Sequence, residues 1–299
     1  MSSSENNRQG FAFGLLGVLG FSFTLPATRM AVDTLDPITV GLGRALIAAL
    51  LAAPLLLITR QKVPGFRQWG SIAVVMIGVI IGFPLLTAWA MKRVPASHGA
   101  VVLGLLPLAT TIFGAIRAHE RPSFIFWAAS MVGSLTVVGY ALSFGGGGFQ
   151  LADLALLGAV VLAALGYAEG AWLARSIGGW QVICWALVLA APLLIGPVYS
   201  AIARNGFDVT PTSLTGFAYV SLISMFLAFF AWYRGLALGG VARISQLQLL
   251  QPFLTLLFSA VFLNERFSIV ALASAVVVAL SIFVSKQSRV TIKDSRAST

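Results

Sequence analysis

Few side chains in this sequence can carry a charge inside long apolar runs, and those few set the chemistry open to the chain. Glu169, in AALGYAEGAWLARS, is the only carboxylate well within such a run and stands sixteen residues after Asp153. A carboxyl half-shielded from water can take up and release a proton, as a proton-coupled carrier requires. An interfacial glutamate held by Arg175 or Arg234 reads equally well. Arg44, in VGLGRALIAALL, lies about 9 Å inside its run at 1.5 Å per residue. It is either a charge site, a tie to Asp33 or Asp36, or a side chain snorkelling to the surface. His98 is the histidine placed where a pathway could pass, though a solvated helix start explains it as well. Three amides, Gln246, Gln248 and Gln251, fall in SQLQLLQP. On an α-helix Gln248 and Gln251 lie about 60° apart and Gln246 nearly opposite Gln248. One face can address a ligand's carboxylate or amine while Gln246 ties helices together.

Other chemistries fail by absence. The sequence contains no G-x-x-x-x-G-K-[ST] loop, no H-E-x-x-H and no G-x-S-x-G, and two histidines with one cysteine cannot build a zinc site. Neither an enzyme, a metal site nor a bound cofactor is expected. No arginine ladder or acidic ring suggests a voltage-gated or cation channel.

The elements that must position these residues follow from composition. At 59% hydrophobic and 9% charged, with mean hydropathy +0.95, the chain has too little polar surface to cover a soluble globule of 299 residues. A hydrocarbon core of roughly 30 Å needs about 20 apolar residues per helix. Ten such stretches are predicted, near 10–29, 38–59, 68–91, 97–116, 123–143, 151–174, 179–201, 212–233, 242–263 and 268–285. The net charge of +10 is dispersed over short loops, which argues against nucleic acid. With the N-terminus inside, thirteen basic residues fall on that side and five on the other, so both termini are expected in the cytoplasm. The polar start and the long first run argue against a cleaved signal peptide. Cys184 is expected to be a small core residue.

The chain repeats itself. PLATTIFGAIRAHER at 107–121 returns as PFLTLLFSAVFLNER at 252–266, matching at Pro107/Pro252, Thr110/Thr255, Glu120/Glu265 and Arg121/Arg266. The copies fall in the fourth and ninth runs, five crossings apart, so the halves are predicted to be inverted-topology repeats. The expected fold is an all-α integral membrane protein of ten transmembrane helices, a 5+5 inverted repeat around a central cavity. Its parts are 1–144, a Gly-rich linker at 145–150, 151–288 and a polar tail at 289–299. Pro26, Pro107 and Pro252 free backbone carbonyls at depth and are hinge candidates. Glu120, Arg121, Glu265 and Arg266 end equivalent helices as structural anchors. Aromatic residues cluster near helix ends; Phe83, Trp89, Tyr167, Trp172 and Trp232 are candidates for a pocket wall or gate, with the interfacial aromatic belt as the alternative.

The runs DPITVGLGRALIAALLAAPLLL, PASHGAVVLGLLPLATTIFGAIRAHER and ARISQLQLLQPFLTLLFSAVFLNER resemble the EamA family of the drug/metabolite transporter superfamily, over essentially the whole chain. In that family each half carries a proline followed about thirteen residues on by Glu-Arg, and the second helix carries an arginine. These map to Pro107, Glu120 and Arg121, to Pro252, Glu265 and Arg266, and to Arg44. The chain departs from the family at its first helix, where FSFTLP replaces a common Trp-Gly. Within the superfamily it looks most like the YddG-type bacterial amino-acid exporters. The resemblance implies a carrier whose cavity is lined by the first, third, fourth, sixth, eighth and ninth helices.

The leading expectation is a secondary exporter in a bacterial inner membrane, moving small amphipathic metabolites, neutral or aromatic amino acids foremost, by alternating access. Its partners would be a small-molecule substrate, the lipid bilayer and, if Glu169 or His98 titrates, a proton. Export of cationic drugs, with Glu169 as the recognition charge, and a channel or lipid scramblase stay open as alternatives.

Overall fold

A computed structural model describes residues 3–94, 96–117, 120–144, 151–263, 269–288 and 290–292. They are almost entirely helical, and six stretches are long and apolar enough to cross a membrane: Glu5–Ala31, Pro37–Ile58, Phe66–Met91, Leu151–Ile177, Gly179–Asn205 and Pro211–Gly239. Leu106–Arg117, Phe124–Gly139 and Val276–Ser285 are shorter apolar helical pieces.

Local chemistry sets where helices start and break. α1 (Ser3–Ser22) and α2 (Thr24–Ala31) are one run interrupted at Phe23. Pro26 is the cause, because it has no N–H to offer the carbonyl of Ser22 four residues back. α3 (Pro37–Ile58) begins where the Asp36 carboxylate accepts from the Ile38 N–H at 2.8 Å and Pro37 takes the first turn. α4 (Phe66–Val75) passes through a π-helical segment, Met76–Gly82, into α5 (Phe83–Met91).

The fourth run is split into α6 (Ala96–Leu103) and α7 (Leu106–Arg117) just ahead of Pro107. α8 (Phe124–Phe144), α9 (Leu151–Ile177) and α10 (Gly179–Asn205) follow. α11 (Pro211–Tyr219) and α12 (Ala228–Gly239) flank a second π segment, Val220–Leu227. The ninth run comprises α13 (Val241–Ser245), a 3-10 segment at Gln246–Leu250 and α14 (Gln251–Leu263), and α15 (Ile269–Gln287) comes last. At Pro252 the carbonyl of Gln248 loses its usual partner, and the Gln251 N–H takes it in the tighter 3-10 pattern. Both repeated prolines therefore follow a departure from α-helical geometry.

The two π segments start 144 residues apart and end 145 apart, the same shift as the sequence repeat. Pro84 follows only the first, so what they share is position and not proline. Packing follows the same exchange: α1 lies along α12 and α9 along α5 with its π segment, while α3 lies along α10 and α8 along α15. Glycine permits the closest crossings. A Cβ on Gly10 would sit 2.7 Å from the backbone nitrogen of Gly239, and one on Gly14 would meet bulky side chains of α13 and the 3-10 segment. Across the α4–α5 run, a Cβ on Gly78 would fall 2.5 Å from the carbonyl oxygen of Leu162.

The fold adds one element that hydrophobic periodicity did not predict. Strand β1 (Glu120–Pro122) pairs antiparallel with β2 (Val290–Ile292), Arg121 opposite Thr291. Three-residue strands at the ends of apolar helices lack the alternation that marks a strand in sequence. The pair joins the stretch after α7 to the chain beyond α15. The linker 145–150 and the tail 293–299 lie outside the described residues.

Candidate substrate site

α1, α2, α3, the first π segment, α5, α6, α7, α9, the second π segment, α12 and α14 all reach a narrow cavity inside the bundle. It has room for about one water molecule in this conformation. Its apolar wall includes Phe21, Phe83, Leu103 and Phe229, and its polar groups come from Thr24, Arg44, Tyr167, Ser224 and Gln251. The hydroxyls of Thr24 and Ser224 satisfy one another at 2.8 Å, linking α2 to the second π segment. A smaller recess nearby is bordered by Gln251, Pro252 and Thr255.

Arg44 differs most from expectation. It neither snorkels nor ties to an aspartate: it is 1% exposed, and its Nε, Nη1 and Nη2 atoms have no hydrogen-bond partner among the described residues. Asp36 instead caps α3 and accepts from the Asn205 amide at 3.1 Å. The reason is geometric, because Arg44 sits two turns into α3 on the side facing the bundle, where Tyr167 of α9 approaches it. Tyr167 also approaches Gln248, whose buried amide nitrogen and oxygen, like the indole nitrogen of Trp232, make no close hydrogen bond among the described residues. Buried polar atoms are usually paired, so such a group of unpaired ones marks a place where a ligand or water can serve.

Aromatic rings hold this group in place. Tyr167 packs edge-on to Trp232 at 5.5 Å between centroids and to Phe229 at 6.0 Å, and Phe21 stacks against it at 6.4 Å. Trp232 is fully buried. The amides follow the 3-10 geometry: residues i and i+3 eclipse there, so Gln248 and Gln251 share a face more closely than an α-helix would place them. Gln246 points away and donates to the Thr111 hydroxyl at 3.1 Å.

The other sequence candidates lie elsewhere. Glu169 is 5% exposed and pairs with Arg117 of α7, the Arg117 Nη2 donating to it at 2.9 Å. That overturns the expected partners Arg175 and Arg234. The sequence signal that points to Arg117 is the need of Glu169 for a positive charge at equal depth. Trp172 lies 4.2 Å under the Arg117 guanidinium and is more than a third exposed, so it flanks this ion pair and not the cavity. Trp89 lies 3.5 Å under the Arg93 guanidinium at the other end of the bundle. There Arg29 donates to the Met91 carbonyl, and the Lys92 ammonium donates to that of Val32 at 2.6 Å.

Glu120 ties three elements together. Its carboxylate accepts from the N–H groups of Val241 at 2.8 Å and Ala242 at 2.7 Å, at the start of α13, and from Arg175 of α9 at 3.3 Å. Arg121 is exposed on β1. Pro26, Pro107 and Pro252 are buried where helices change geometry. The side chain of His98, and Glu265 and Arg266 entirely, lie outside the described residues. Among cavity residues, Phe21, Thr24, Ser224 and Phe229 escaped sequence reading because in apolar runs they look like packing. Among the described residues, no group of acidic, histidine and cysteine side chains could hold a metal ion.

A model of the EamA-like transporter family matches residues 8–143 and again 150–286. The uncharacterized transporter YdeK of Bacillus subtilis is 48% identical over 274 residues, which cover 91% of this chain and 96% of that protein. Protein PecM of Dickeya dadantii is 26% identical, over 83% of this chain and 85% of its own. A probable terminal-alkyne amino-acid exporter of Streptantibioticus cattleyicolor is 25% identical, over 84% of each. One crystal structure superposes with a TM-score of 0.76 at 19% identity, over 93% of this chain and 98% of its own, a likeness of fold alone. The matched halves, the apolar helices and the relatives agree: this chain is a multi-pass membrane protein of the EamA-like transporter family.

Proposed function

We propose that the chain exports small amphipathic metabolites, neutral or aromatic amino acids foremost, across the bacterial inner membrane by alternating access. Ten helices would cross as two inverted five-helix halves, with both termini in the cytoplasm. The observation that carries this reading is the central cavity, where aromatic and aliphatic walls from both halves surround a few polar groups. The repeated placement of the π segments and the exchange of packing partners between halves support the inverted repeat. One relative at 25% identity carries a name that includes amino-acid export.

In this reading Pro107 and Pro252 lie where the halves bend. The Glu169–Arg117 pair and Glu120 hold α7, α9 and α13 together at one end of the bundle. Opening at that end would separate them. Glu169 is also where a proton would couple to movement, because protonation removes the charge that holds Arg117. Its engagement by Arg117, away from the cavity, weakens the case for cationic drugs.

The test is transport by the purified chain in proteoliposomes. A panel of radiolabelled amino acids, cationic drugs and lipid probes would be run with and without an imposed pH gradient. Saturable phenylalanine or methionine exchange is expected. Flux that does not depend on solute, or lipid flip without solute movement, would sink the reading.

A further inference from the structure

Building on the central cavity as the substrate site, we propose that Arg44 anchors the carboxylate of the substrate, and that the site selects amphipathic monoanions in which an ammonium group is dispensable. The argument begins with burial. Arg44 lies on the cavity wall at 1% exposure with all three guanidinium nitrogens unpartnered among the described residues. A buried arginine is costly unless an anion or a set of acceptors faces it, and inside a membrane such a residue marks a pathway for solute or ion. Its planar fork fits a carboxylate through two parallel N–H donors.

The second observation is the character of what surrounds it. The described cavity lining contains one cation and no carboxylate. Glu169, two residues from Tyr167 on α9, is taken by Arg117. A ligand's ammonium would therefore find only neutral acceptors: the Gln251 amide, the Tyr167 hydroxyl and the Thr24–Ser224 pair, whose hydroxyls already serve each other. The Gln248 amide lies within reach of the Tyr167 hydroxyl and, with capacity left over among the described residues, can bind the polar head as donor or acceptor. Phe21, Phe83 and Phe229 supply a wall for an apolar body. Charge at this site is thus read at the carboxylate end alone, and an amino acid, its 2-oxo acid and the plain acid of the same body should compete.

The experiment uses the full chain purified in lipid nanodiscs, with binding followed by tryptophan fluorescence and calorimetry. Three compounds share a phenylalanine-like body: hydrocinnamate carries only the carboxylate, hydrocinnamide its neutral amide, and phenethylamine only the ammonium. On the wild type, hydrocinnamate is expected to bind at least about tenfold tighter than either of the others, because loss of the charge leaves the guanidinium unpaired. Arg44→Gln should abolish the preference for acid over amide, while Arg44→Lys, which keeps the charge and loses the fork, should retain part of it. Equal binding of acid and amide to the wild type overturns the proposal. So does an acid preference that survives in Arg44→Gln, or no binding of any of the three to the wild type. If Arg44→Gln does not elute as a single folded species, the wild-type ranking and the Arg44→Lys result decide alone. Should hydrocinnamate bind and exchange while phenylalanine does not, the amino-acid reading fails and the carboxylate anchor stands.

Discussion

The hydroxyl of Thr255 donates to the main-chain carbonyl of Ser22 at 2.6 Å, the acceptor that Pro26 leaves without its helical partner. The bond crosses from α14 to α1, so a gap made by one proline is closed by a residue three positions after another, Pro252. In an apolar interior an unpaired carbonyl is costly, and a broken helix persists only if a neighbour supplies the missing donor. The break at Phe23 and the ninth run are in this way mutually dependent.

Thr255→Val should therefore lower stability by about 1–2 kcal/mol, because it keeps the shape and leaves the Ser22 carbonyl buried and unpaired. Thermal unfolding in detergent measures it. Thr255→Ser, which keeps the donor, should recover most of the loss, and a Thr255→Val midpoint equal to wild type would count against the bridge.

At the α4–α5 and α9 crossing, Gly78→Ala would place a methyl group 2.5 Å from the Leu162 carbonyl. Overpacking of this kind costs about 1–3 kcal/mol. Gly139→Ala on α8, where an added Cβ meets no neighbouring element within 4 Å among the described residues, is the control and should leave the melting temperature unchanged or slightly raised. Equal behaviour of the two variants would show that the crossing can relax.

Removing the Glu120 carboxylate strips the start of α13 of two accepted N–H bonds and frees Arg175. Glu120→Ala should cost about 2–3 kcal/mol, since hydrogen bonds to a buried charge are the stronger kind. Hydrogen exchange at Val241 and Ala242 should accelerate together. Protection at those two amides that does not change would contradict the role.

The Glu169–Arg117 pair makes a prediction about pH. Glu169→Gln should flatten the pH dependence of transport in proteoliposomes, whereas a pair that only stabilises the fold would change the rate and leave the profile intact. A double-mutant cycle with Arg117→Gln should give a coupling of about 1 kcal/mol, modest because the Arg117 side chain is more than a third exposed. An unaltered profile in Glu169→Gln would remove this residue from the coupling path.

Periodicity and composition carried the larger features. Apolar runs long enough for a bilayer, with prolines and glycines at depth, leave the chain little choice but a helical membrane protein, and the 107–121 and 252–266 echo announces duplication. Hydrophobicity and the missing N–H of proline act locally, so they are legible one residue at a time. Which partner meets which group is not local. Arg44 could have reached Asp36, and Glu169 could have reached Arg175. Only the tertiary packing, which brings Tyr167 of α9 to Arg44 and lays α7 along α9, turned the first into a cation on a cavity wall, unpaired among the described residues, and the second into the mate of Arg117. The sequence determined that a few polar groups would be buried in an apolar bundle. The tertiary structure decided which of them satisfy each other and which are left unpaired among the described residues, because the low dielectric that makes an unpaired charge costly acts over contacts between distant segments.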